Sequence, residues 1–403
     1  MLRLAGRNVL RQKGRTATTL AAIAFGVASI VLAKGFVEDT FVQLGEAIVH
    51  SQSGHIQLAR EGFFEHGAHQ PERYLVEDPE GDKKRIMKIP EVSDAMARLS
   101  FSGLLNNGRA DLSVIGEGIE PEKEARLGTF LRIVTGRRLA DSDQFGALVG
   151  AGVAKSLRLS PGDSVVLVMS TSDGAMNSLD LNVVGVFQSF SKEYDNRAIK
   201  IPLSAAQQLL NTKGANTLVV TLHETKKTAD VARLLRERTV WRDQTVKTWQ
   251  DLNDFYPKTV DMYRIQFGGL QAIILLMVLL GVVNSVNTTV FERTSEFGTM
   301  RALGNRGKTV FGIIVLESVI LGVAGSTVGI LFALGVSYLV SIVGIPMPPP
   351  PNSDLSYVAF VRLSWPPVLL AFALGVATTT IASLVPGIRL ARIDISRALR
   401  SGV

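Results

Sequence analysis

The chain of 403 residues contains no cysteine. This absence excludes disulfide bonds and any metal or thiol chemistry that depends on cysteine. A domain outside the cytoplasm would therefore have to fold on its hydrophobic core alone. The longest stretch between apolar runs, residues 41–262, is long enough to build such a core.

Catalytic and nucleic-acid-binding patterns are also lacking. His66 and His69 are too loosely spaced from Glu65 and Glu72 to predict a metal site, so we interpret all four as solvated loop residues. The spacing supports no Ser-His-Asp set and no catalytic pair of carboxylates. An isoelectric point near 9.6 does not indicate nucleic-acid binding, because no basic patch is combined with stacking aromatic residues. We predict no catalytic residue, no metal and no cofactor bound by this chain.

Long apolar runs are what the sequence does contain. Hydrophobic residues make up 46% of the chain, and the mean hydropathy is +0.24. Four runs, at residues 17–33, 265–291, 309–345 and 366–388, reach or approach the roughly 20 residues that a hydrocarbon core of about 30 Å requires. We predict four transmembrane helices, of which the third is long enough to tilt or to extend beyond the lipid.

The net charge of +7 is unevenly distributed. Lys and Arg are concentrated in the first 16 residues, in the loop after the second apolar run and in the tail after the fourth. Because an excess of Lys and Arg marks the cytoplasmic side, we predict that both termini and the short loop are cytoplasmic and that residues 41–262 lie outside. The charge therefore indicates membrane topology.

The N-terminus allows a second interpretation. A basic start followed by an apolar run also describes a secretory signal peptide, with residues 31–33 as the cleavage site. We favour a retained span, because the run is longer than the apolar core of a usual signal peptide. Arg3, Arg7 and Arg11 recur every four residues, which predicts a short amphipathic helix on the inner leaflet before the span.

The chain therefore divides into alternating membrane and aqueous segments. They are a cytoplasmic amphipathic helix (1–16), the first span and its stalk (17–40), an extracytoplasmic domain (41–262), the second span (263–291), a short cytoplasmic loop (292–308), the third span (309–345), a Pro-rich outer loop (346–365), the fourth span (366–388) and a basic cytoplasmic tail (389–403). Within the outer domain, strands are predicted at 165–169, 181–187 and 217–222, and helices at 205–210 and 228–237. The predicted fold class is an α-helical membrane protein with four transmembrane helices and an α+β extracytoplasmic domain inserted between the first and second spans.

Glu317 is the charged residue of the third run. A bare carboxylate there would cost about 2.5 to 3.5 kcal/mol on an insertion scale, so the side chain should face protein or water. We favour a protonated or hydrogen-bonded carboxyl near the inner interface, with Arg301 or Lys308 as its partner. The alternative is a buried contact that transmits helix movement.

Small and polar residues mark the packing faces of the spans. Gly322, Gly325 and Gly329 would let helix backbones approach closely, either within one subunit or at a dimer interface. Asn284 and Asn287, with the hydroxyl residues beside them, make the inner half of the second span polar. We interpret them as interhelical hydrogen-bonding groups, with a polar substrate path as the alternative.

The loop between the second and third spans carries the most specific pattern. It is short, charged and able to form a helix, with Phe297, Met300 and Leu303 on one side and charged residues on the other. It resembles the coupling helix of ABC permeases of the MacB/LolCE/FtsX (type VII, mechanotransmission) family, whose consensus is roughly R-x-x-E-I-G-x-x-R-A-L-G. Residues 296–298 and 301–304 match, with Phe297 in place of the usual Ile. The predicted ATPase-binding residues are Glu292, Arg293, Glu296, Phe297, Gly298, Met300, Arg301, Ala302, Leu303 and Gly304.

Further segments resemble the same family along most of the chain. They lie at residues 7–11, 53–57, 114–121, 135–139, 150–154, 159–163, 201–203 and 386–394. Each is weak alone, but their order relative to four spans is specific. Residues 302–309 also fit a relaxed P-loop with Ala in place of the first Gly. We interpret that match as chance, because a P-loop follows a buried strand and here a charged loop precedes it.

The resemblance implies a membrane subunit without its own ATPase site. A second permease copy or a paralogue would pair with it, and an ABC ATPase dimer carrying ATP and Mg would dock on the coupling helix. The complex would lie in the bacterial inner membrane, where the first two spans would carry movement to the periplasmic domains. Our first choice of function is extraction of periplasmic lipoproteins or of membrane lipid. The alternatives are MacB-like efflux with an adaptor protein and an outer-membrane channel, and FtsX-like regulation of a cell-wall hydrolase.

Overall fold

The computed structural model describes residues 13–67, 71–170, 176–237, 243–253, 255–349 and 356–392. The predicted amphipathic helix before residue 13 and the basic tail after residue 392 lie outside the described residues and stay predictions. Contacts divide the chain into two units. The helical unit comprises the described parts of 1–42, 259–346 and 358–403, and the sheet unit comprises those of 43–258 and 347–357.

Helices make up most of the helical unit and flank the strands of the sheet unit. The α-helices of the described residues are α1 (Lys13–Ile48), α2 (Phe63–His66), α3 (Pro79–Ile86), α4 (Pro121–Leu127), α5 (Ala151–Leu157), α6 (Lys192–Asp195), α7 (Leu203–Leu210), α8 (Thr228–Glu237), α9 (Phe255–Glu292), α10 (Thr294–Ala302), α11 (Gly307–Val343) and α12 (Trp365–Ala391). Shorter turns are a π-helical segment at Val49–Ser53 and 3₁₀ segments at Pro71–Tyr74 and Thr225–Lys227.

The strands of the described residues form one large sheet and a separate short pair of strands. They are β1 (Ile56–Arg60), β2 (Val92–Asn106), β3 (Asp111–Ile119), β4 (Arg132–Gly136), β5 (Gly146–Gly150), β6 (Ser164–Ser170), β7 (Met176–Gln188), β8 (Ala198–Pro202), β9 (Thr217–Leu222), β10 (Gln244–Thr248), β11 (Ile345–Met347) and β12 (Tyr357–Ala359). The large sheet has the order β10-β1-β9-β2-β3-β8-β5-β7-β4, and β6 pairs with β2 and β7. Its β3–β8 and β5–β7 pairs are parallel, whereas the other pairs are antiparallel.

Four helices confirm the predicted spans. In α1, α9, α11 and α12, the most apolar 18-residue window has a mean hydropathy of 2.1 to 2.2. The helices α1 and α9 contain 36 and 38 residues, so at a rise of about 1.5 Å per residue each outreaches a hydrocarbon core of about 30 Å. The predicted stalk residues are therefore helical continuations of the spans wherever the structure describes them.

The sheet unit folds on apolar residues of alternating strand positions. One cluster centres on Phe101, Val149 and Ile199, and a second centres on Leu58 and Val220. These side chains are fully or almost fully buried, so the unit has the hydrophobic core that a chain without cysteine requires. The strands and helices that the sequence predicts in this region lie within β6, β7, β9, α7 and α8.

Glycines allow α11 to pack closely against its neighbours in the same chain. A Cβ atom at Gly322 would clash with Thr379 Oγ1 of α12, and one at Gly329 would lie 2.5 Å from the carbonyl oxygen of Ala24 in α1. Gly325 meets Ile23 of α1 in the same way. Of the two interpretations that the sequence leaves open, the structure shows packing within one chain for all three glycines.

Candidate functional site

The predicted coupling segment contains a helix, which is shorter than the segment itself. Between α9 and α10, Arg293 is a single residue with non-helical dihedral angles, φ −102° and ψ 12°. The Phe297 amide donates to the Arg293 carbonyl at 3.0 Å, which starts α10. After α10, Gly304 has φ +93°, a conformation that glycine adopts readily, and α11 begins at Gly307. The segment is therefore a nine-residue helix between two spans.

Arg293 joins α10 to α11. Its Nη1 atom lies 3.1 and 3.2 Å from the two carboxylate oxygens of Glu317, and its Nε atom donates to Glu296 Oε2 at 2.9 Å. The side chains of Arg293 and Glu317 are only 12% and 11% exposed. Glu317 is thus hydrogen-bonded and protein-facing, as predicted. Its observed partner is Arg293, whereas the sequence suggests Arg301 or Lys308.

The apolar side of α10 faces its own chain. Phe297 is 2% exposed and belongs to the core cluster of the spans, which includes Val310 and Ile314. Met300 packs against that cluster, and Gly298 is buried. The sequence assigns Arg293, Phe297 and Gly298 to a partner surface. The structure corrects this assignment, because all three face the helical unit itself.

The end of α10 and the turn after it form the exposed part of the predicted site. Residues 302–306 are exposed, and Leu303 is 79% exposed. Glu292 is exposed as well, whereas Glu296 and Arg301 are partly exposed. Sequence reasoning did not assign Asn305 and Arg306 to this surface, although the basic residues of the loop were recognised as a topology signal. We call Glu292, the partly exposed Arg301 and the exposed residues 302–306 the docking surface.

The relaxed P-loop pattern has the wrong structural context. Its last residues begin α11 at Gly307, as a phosphate-binding loop would. However, the helix α10, and not a buried strand, precedes the pattern. A P-loop is a strand–loop–helix unit, so residues 302–309 do not form one.

The polar residues of α9 separate into two groups. Ser285 Oγ lies 2.5 Å from Thr19 Oγ1 of α1, which is an interhelical hydrogen bond. Asn284 and Asn287 are exposed on the surface of the helical unit. The predicted hydrogen bonding between spans is therefore made by Ser285, while the two asparagine side chains lie on the outer face of α9.

A crevice between α1 and α9 was not predicted from the sequence. It has a volume of about 170 Å³ and is lined by apolar residues such as Phe267 and Leu270, together with Lys34, Arg264 and Gln271. Arg264 Nη1 lies 3.5 Å from Asp261 Oδ1, and both side chains are well exposed. The crevice thus combines an apolar lining with cationic groups, which suits an amphiphile with an anionic head.

The sheet unit contains a buried network of charges. Glu124 accepts from Arg98 Nη2 at 2.8 Å and from Lys200 Nζ at 2.6 Å, and Lys200 also lies 3.0 Å from Glu117. Burial opposes ionisation of Glu124, but the charges of Arg98 and Lys200 hold its pKa at about 2. The two positive and two negative side chains of the network balance each other, which indicates that it stabilises the core and does not bind a ligand.

Histidines also lie near the start of the sheet unit. His55 is buried, its Nδ1 accepts from the Leu222 amide at 3.2 Å, and its Nε2 lies 3.0 Å from Thr225 Oγ1. Burial lowers the pKa of His55 to about 4. Within the described part of the chain, no group of three or more His, Asp or Glu side chains is arranged to hold a metal ion. Glu65 and His66 are exposed, whereas His69 and the Glu72 side chain lie outside the described residues.

Comparison with known proteins places two family profiles on the chain. The MacB-like periplasmic core domain matches residues 16–238, which is more than half of the chain. The FtsX-like permease C-terminal region matches residues 269–395. Together the two profiles cover the first, third and fourth spans, the second span from residue 269, the sheet unit up to residue 238, and the docking surface.

Individual relatives are distant. The chain is 23% identical to the macrolide export ATP-binding/permease protein MacB of Brucella abortus over 96% of its own length and 58% of that protein. It is 23% identical to the lipoprotein-releasing system transmembrane protein LolC of Xylella fastidiosa, over 78% of this chain and 79% of that one. The periplasmic region of MacB from Actinobacillus actinomycetemcomitans, a solved structure, is 15% identical with a TM-score of 0.37 and covers 53% of this chain and 95% of that region. The chain spans little more than half the length of the MacB relative.

Proposed function

The chain belongs to the family of ABC transporter permeases that combine a MacB-like periplasmic core domain with an FtsX-like C-terminal region, and we propose that it couples ATP hydrolysis by a separate ATPase to work at the periplasmic face of a bacterial inner membrane. Two copies of the chain, or one copy and a paralogue, would form the membrane part. An ABC ATPase dimer with ATP and Mg would dock on the cytoplasmic side.

The geometry of α10 is the observation that carries this proposal. A nine-residue helix stands between two spans, its inner side is fixed by Phe297 and Arg293, and its end exposes Leu303. A large exposed apolar side chain beside basic residues suits a protein partner. Members of this family work with an ABC ATPase, so we assign the docking surface to that partner.

The long helices support the second half of the proposal. Both α1 and α9 continue well beyond the length that a bilayer core requires. A continuous helix is stiff because each turn is hydrogen-bonded to the next. Movement at the docking surface can therefore be carried out of the membrane by α1 and α9 without passage of substrate through a central channel.

We propose a lipoprotein or a membrane lipid as the substrate. The crevice between α1 and α9 supports this choice, because Lys34 and Arg264 accompany an apolar lining. Such a crevice matches a molecule with acyl chains and an anionic head better than it matches a soluble peptide. Similarity to LolC, a lipoprotein-releasing system protein, agrees with it. Similarity to MacB, a macrolide export protein, supports efflux as the second candidate.

Trapping the complex would decide between these substrates. The chain is purified from its host with its ATPase carrying a hydrolysis-blocking substitution, and bound molecules are identified by mass spectrometry. We expect to find acylated lipoprotein or phospholipid bound to the complex. This bound molecule should be lost in the variant that combines Lys34→Glu with Arg264→Glu. A matched control is Arg233→Glu in α8, because Arg233 pairs with Asp230 at 3.7 Å as Arg264 pairs with Asp261.

Other outcomes would overturn the substrate assignment. An adaptor protein and an outer-membrane channel without lipoprotein would move the chain to efflux. A cell-wall hydrolase bound to the full chain, with no lipid or lipoprotein enriched, would indicate a regulator.

A further inference from the structure

We propose that Arg293 and Glu317 are a positioning pair that makes α11 follow α10 when the ATPase moves, an inference that rests on the proposed docking of that ATPase. The sequence assigns Arg293 to the partner surface, and the structure places it inside the chain. Its role would be to transmit movement, and the docking surface would make the contact with the partner.

The backbone at Arg293 allows α10 to reorient. The Arg293 amide donates to Thr289 at 3.1 Å and its carbonyl accepts from Phe297 at 3.0 Å, so hydrogen bonds continue through the joint. Its dihedral angles nevertheless depart from helical values. A single residue of this kind can absorb a change of direction between α9 and α10. The Arg293 side chain then links α10 to α11 at this joint, beside the apolar cluster that contains Phe297 and Val310.

The side chain of Arg293 contacts both helices at once. One guanidinium nitrogen reaches both oxygens of Glu317 in α11, and Nε reaches Glu296 in α10. The guanidinium carbon also lies 4.9 Å from the ring centroid of Phe297. A planar guanidinium with several donors can serve two carboxylates, whereas the single ammonium of lysine lacks this fork.

Low exposure makes the pair act as a unit. With both side chains almost enclosed, separating them would break the contacts of the Arg293 guanidinium with both Glu317 oxygens in a place where little water can replace them. Displacement of α10 therefore favours a joint displacement of α11, since joint movement keeps these charge-assisted hydrogen bonds. The face of α11 that contains Gly325 and Gly329 contacts α1, so movement of α11 would reach the first span directly.

The experiment measures docking and movement separately. Because the chain has no cysteine, Leu280→Cys in α9 and Val328→Cys in α11 can carry one spin label each; both positions are exposed. Since α10 reorients relative to α9, the distance between these labels changes only if α11 follows α10. The labelled full chain with its ATPase is placed in nanodiscs. Pulsed electron paramagnetic resonance then gives the distance between labels with and without ATP, and a titration gives the ATPase affinity.

We expect Arg293→Gln and Glu317→Gln each to abolish the ATP-dependent distance change. Their ATPase affinity should stay within about twofold of the parent, the range expected for substitutions that do not touch the partner. Because the pair acts as a unit, the double variant should be no worse than either single variant. Arg301→Ala, on the docking surface, should instead lower ATPase affinity.

Several results would overturn the inference. One is a normal distance change in the double variant. Another is a partial loss of the distance change in each single variant, with the two losses adding up in the double variant. A third is loss of ATPase affinity in Glu317→Gln. If the amide variants fail to insert, Arg293→Lys decides, because it keeps both charges but not the fork; normal movement in that variant would contradict the proposal. Failure of the unsubstituted chain to bind an ATPase would instead overturn the proposed function itself.

Discussion

Arg98 and Glu124 form an ion pair of 2.8 Å in the core of the sheet unit, with side chains that are only 4% and 8% exposed. Lys200 shares the same carboxylate at 2.6 Å. Removing one member of such a network leaves buried charge without compensation, which is far more costly than loss of an ion pair at the surface. Substitution of either Arg98 or Glu124 should therefore destabilise the sheet unit.

The first prediction concerns this network. Glu124→Gln should lower the free energy of unfolding by about 3 to 5 kcal/mol, because Arg98 and Lys200 lose their shared carboxylate. Arg126→Gln is the control, since Arg126 pairs with Asp94 at 2.6 Å but is 59% exposed, and its loss should cost about 0 to 1 kcal/mol. Denaturant titration of the full chain in nanodiscs, followed by hydrogen exchange of β2 and β8, measures both. Equal effects of the two substitutions would contradict the structural role of the network.

The second prediction is the pH dependence that His55 produces. Burial holds its pKa at about 4 in the folded state, against about 6.5 in the unfolded state. Between these values the unfolded chain binds the extra proton, so stability is fully present above pH 6.5 and falls as the pH drops towards 4. The total loss is about 3 kcal/mol, from 1.36 kcal/mol per pKa unit.

Hydrogen exchange at one amide reports this titration locally. The Leu222 amide donates to His55 Nδ1, which cannot accept once it carries a proton. Its exchange, corrected for intrinsic rates, should therefore accelerate as the pH falls from 6.5 to 4. His55→Gln, which cannot titrate in this range, is the control. The same pH profile in that variant would assign the effect to another group.

The third prediction concerns packing in the helical unit. Gly329→Ala should destabilise the chain by about 1 to 3 kcal/mol, because its Cβ would meet the Ala24 carbonyl oxygen at 2.5 Å. Gly335 lies in the same helix, but a Cβ atom there would meet no neighbouring atom within 4 Å, so Gly335→Ala should be neutral or stabilising. Thermal unfolding in nanodiscs compares the two. Equal stability would mean that α1 and α11 do not pack as described.

The fourth prediction tests the docking surface and its flank. Replacing Glu296 and Arg301 together by Ala should abolish ATPase binding or ATP-driven function while leaving membrane insertion intact. The control is replacement of Asp230 and Arg233 in α8, an exposed pair of opposite charges three residues apart. Fractionation, ATPase co-purification and ATP hydrolysis are measured together. Normal ATP-driven function in the double variant would reject the coupling-helix assignment.

Much of the architecture could be predicted from local sequence. The four spans follow from length and composition, and the predicted strands lie within β6, β7 and β9 because their β-branched residues suit a buried pleated surface. The order of the sheet could not be predicted, since β1 pairs with β9 and β10 across more than 150 residues. Such pairing depends on the whole core and not on any local pattern.

The candidate site was only partly predictable for the same reason. The motif located α10, but a nine-residue helix with apolar and charged sides does not reveal which side faces its own chain. Arg293 faces inwards because its guanidinium pairs with Glu317, which lies 24 residues later in the chain. The crevice joins Lys34 to Arg264, which only the packing of α1 against α9 brings together.

Site-specific photo-crosslinking at Leu303 is the most direct test of the central claim. A photoreactive residue replaces Leu303 on the docking surface, and Leu331 of α11, also apolar and 62% exposed, serves as the control. After irradiation of host cells, we expect the adduct at Leu303 to contain a protein with the nucleotide-binding motifs of an ABC ATPase, and the adduct at Leu331 to contain none. Absence of an ABC ATPase from the Leu303 adduct, in a chain that is inserted and full-length, would contradict the account.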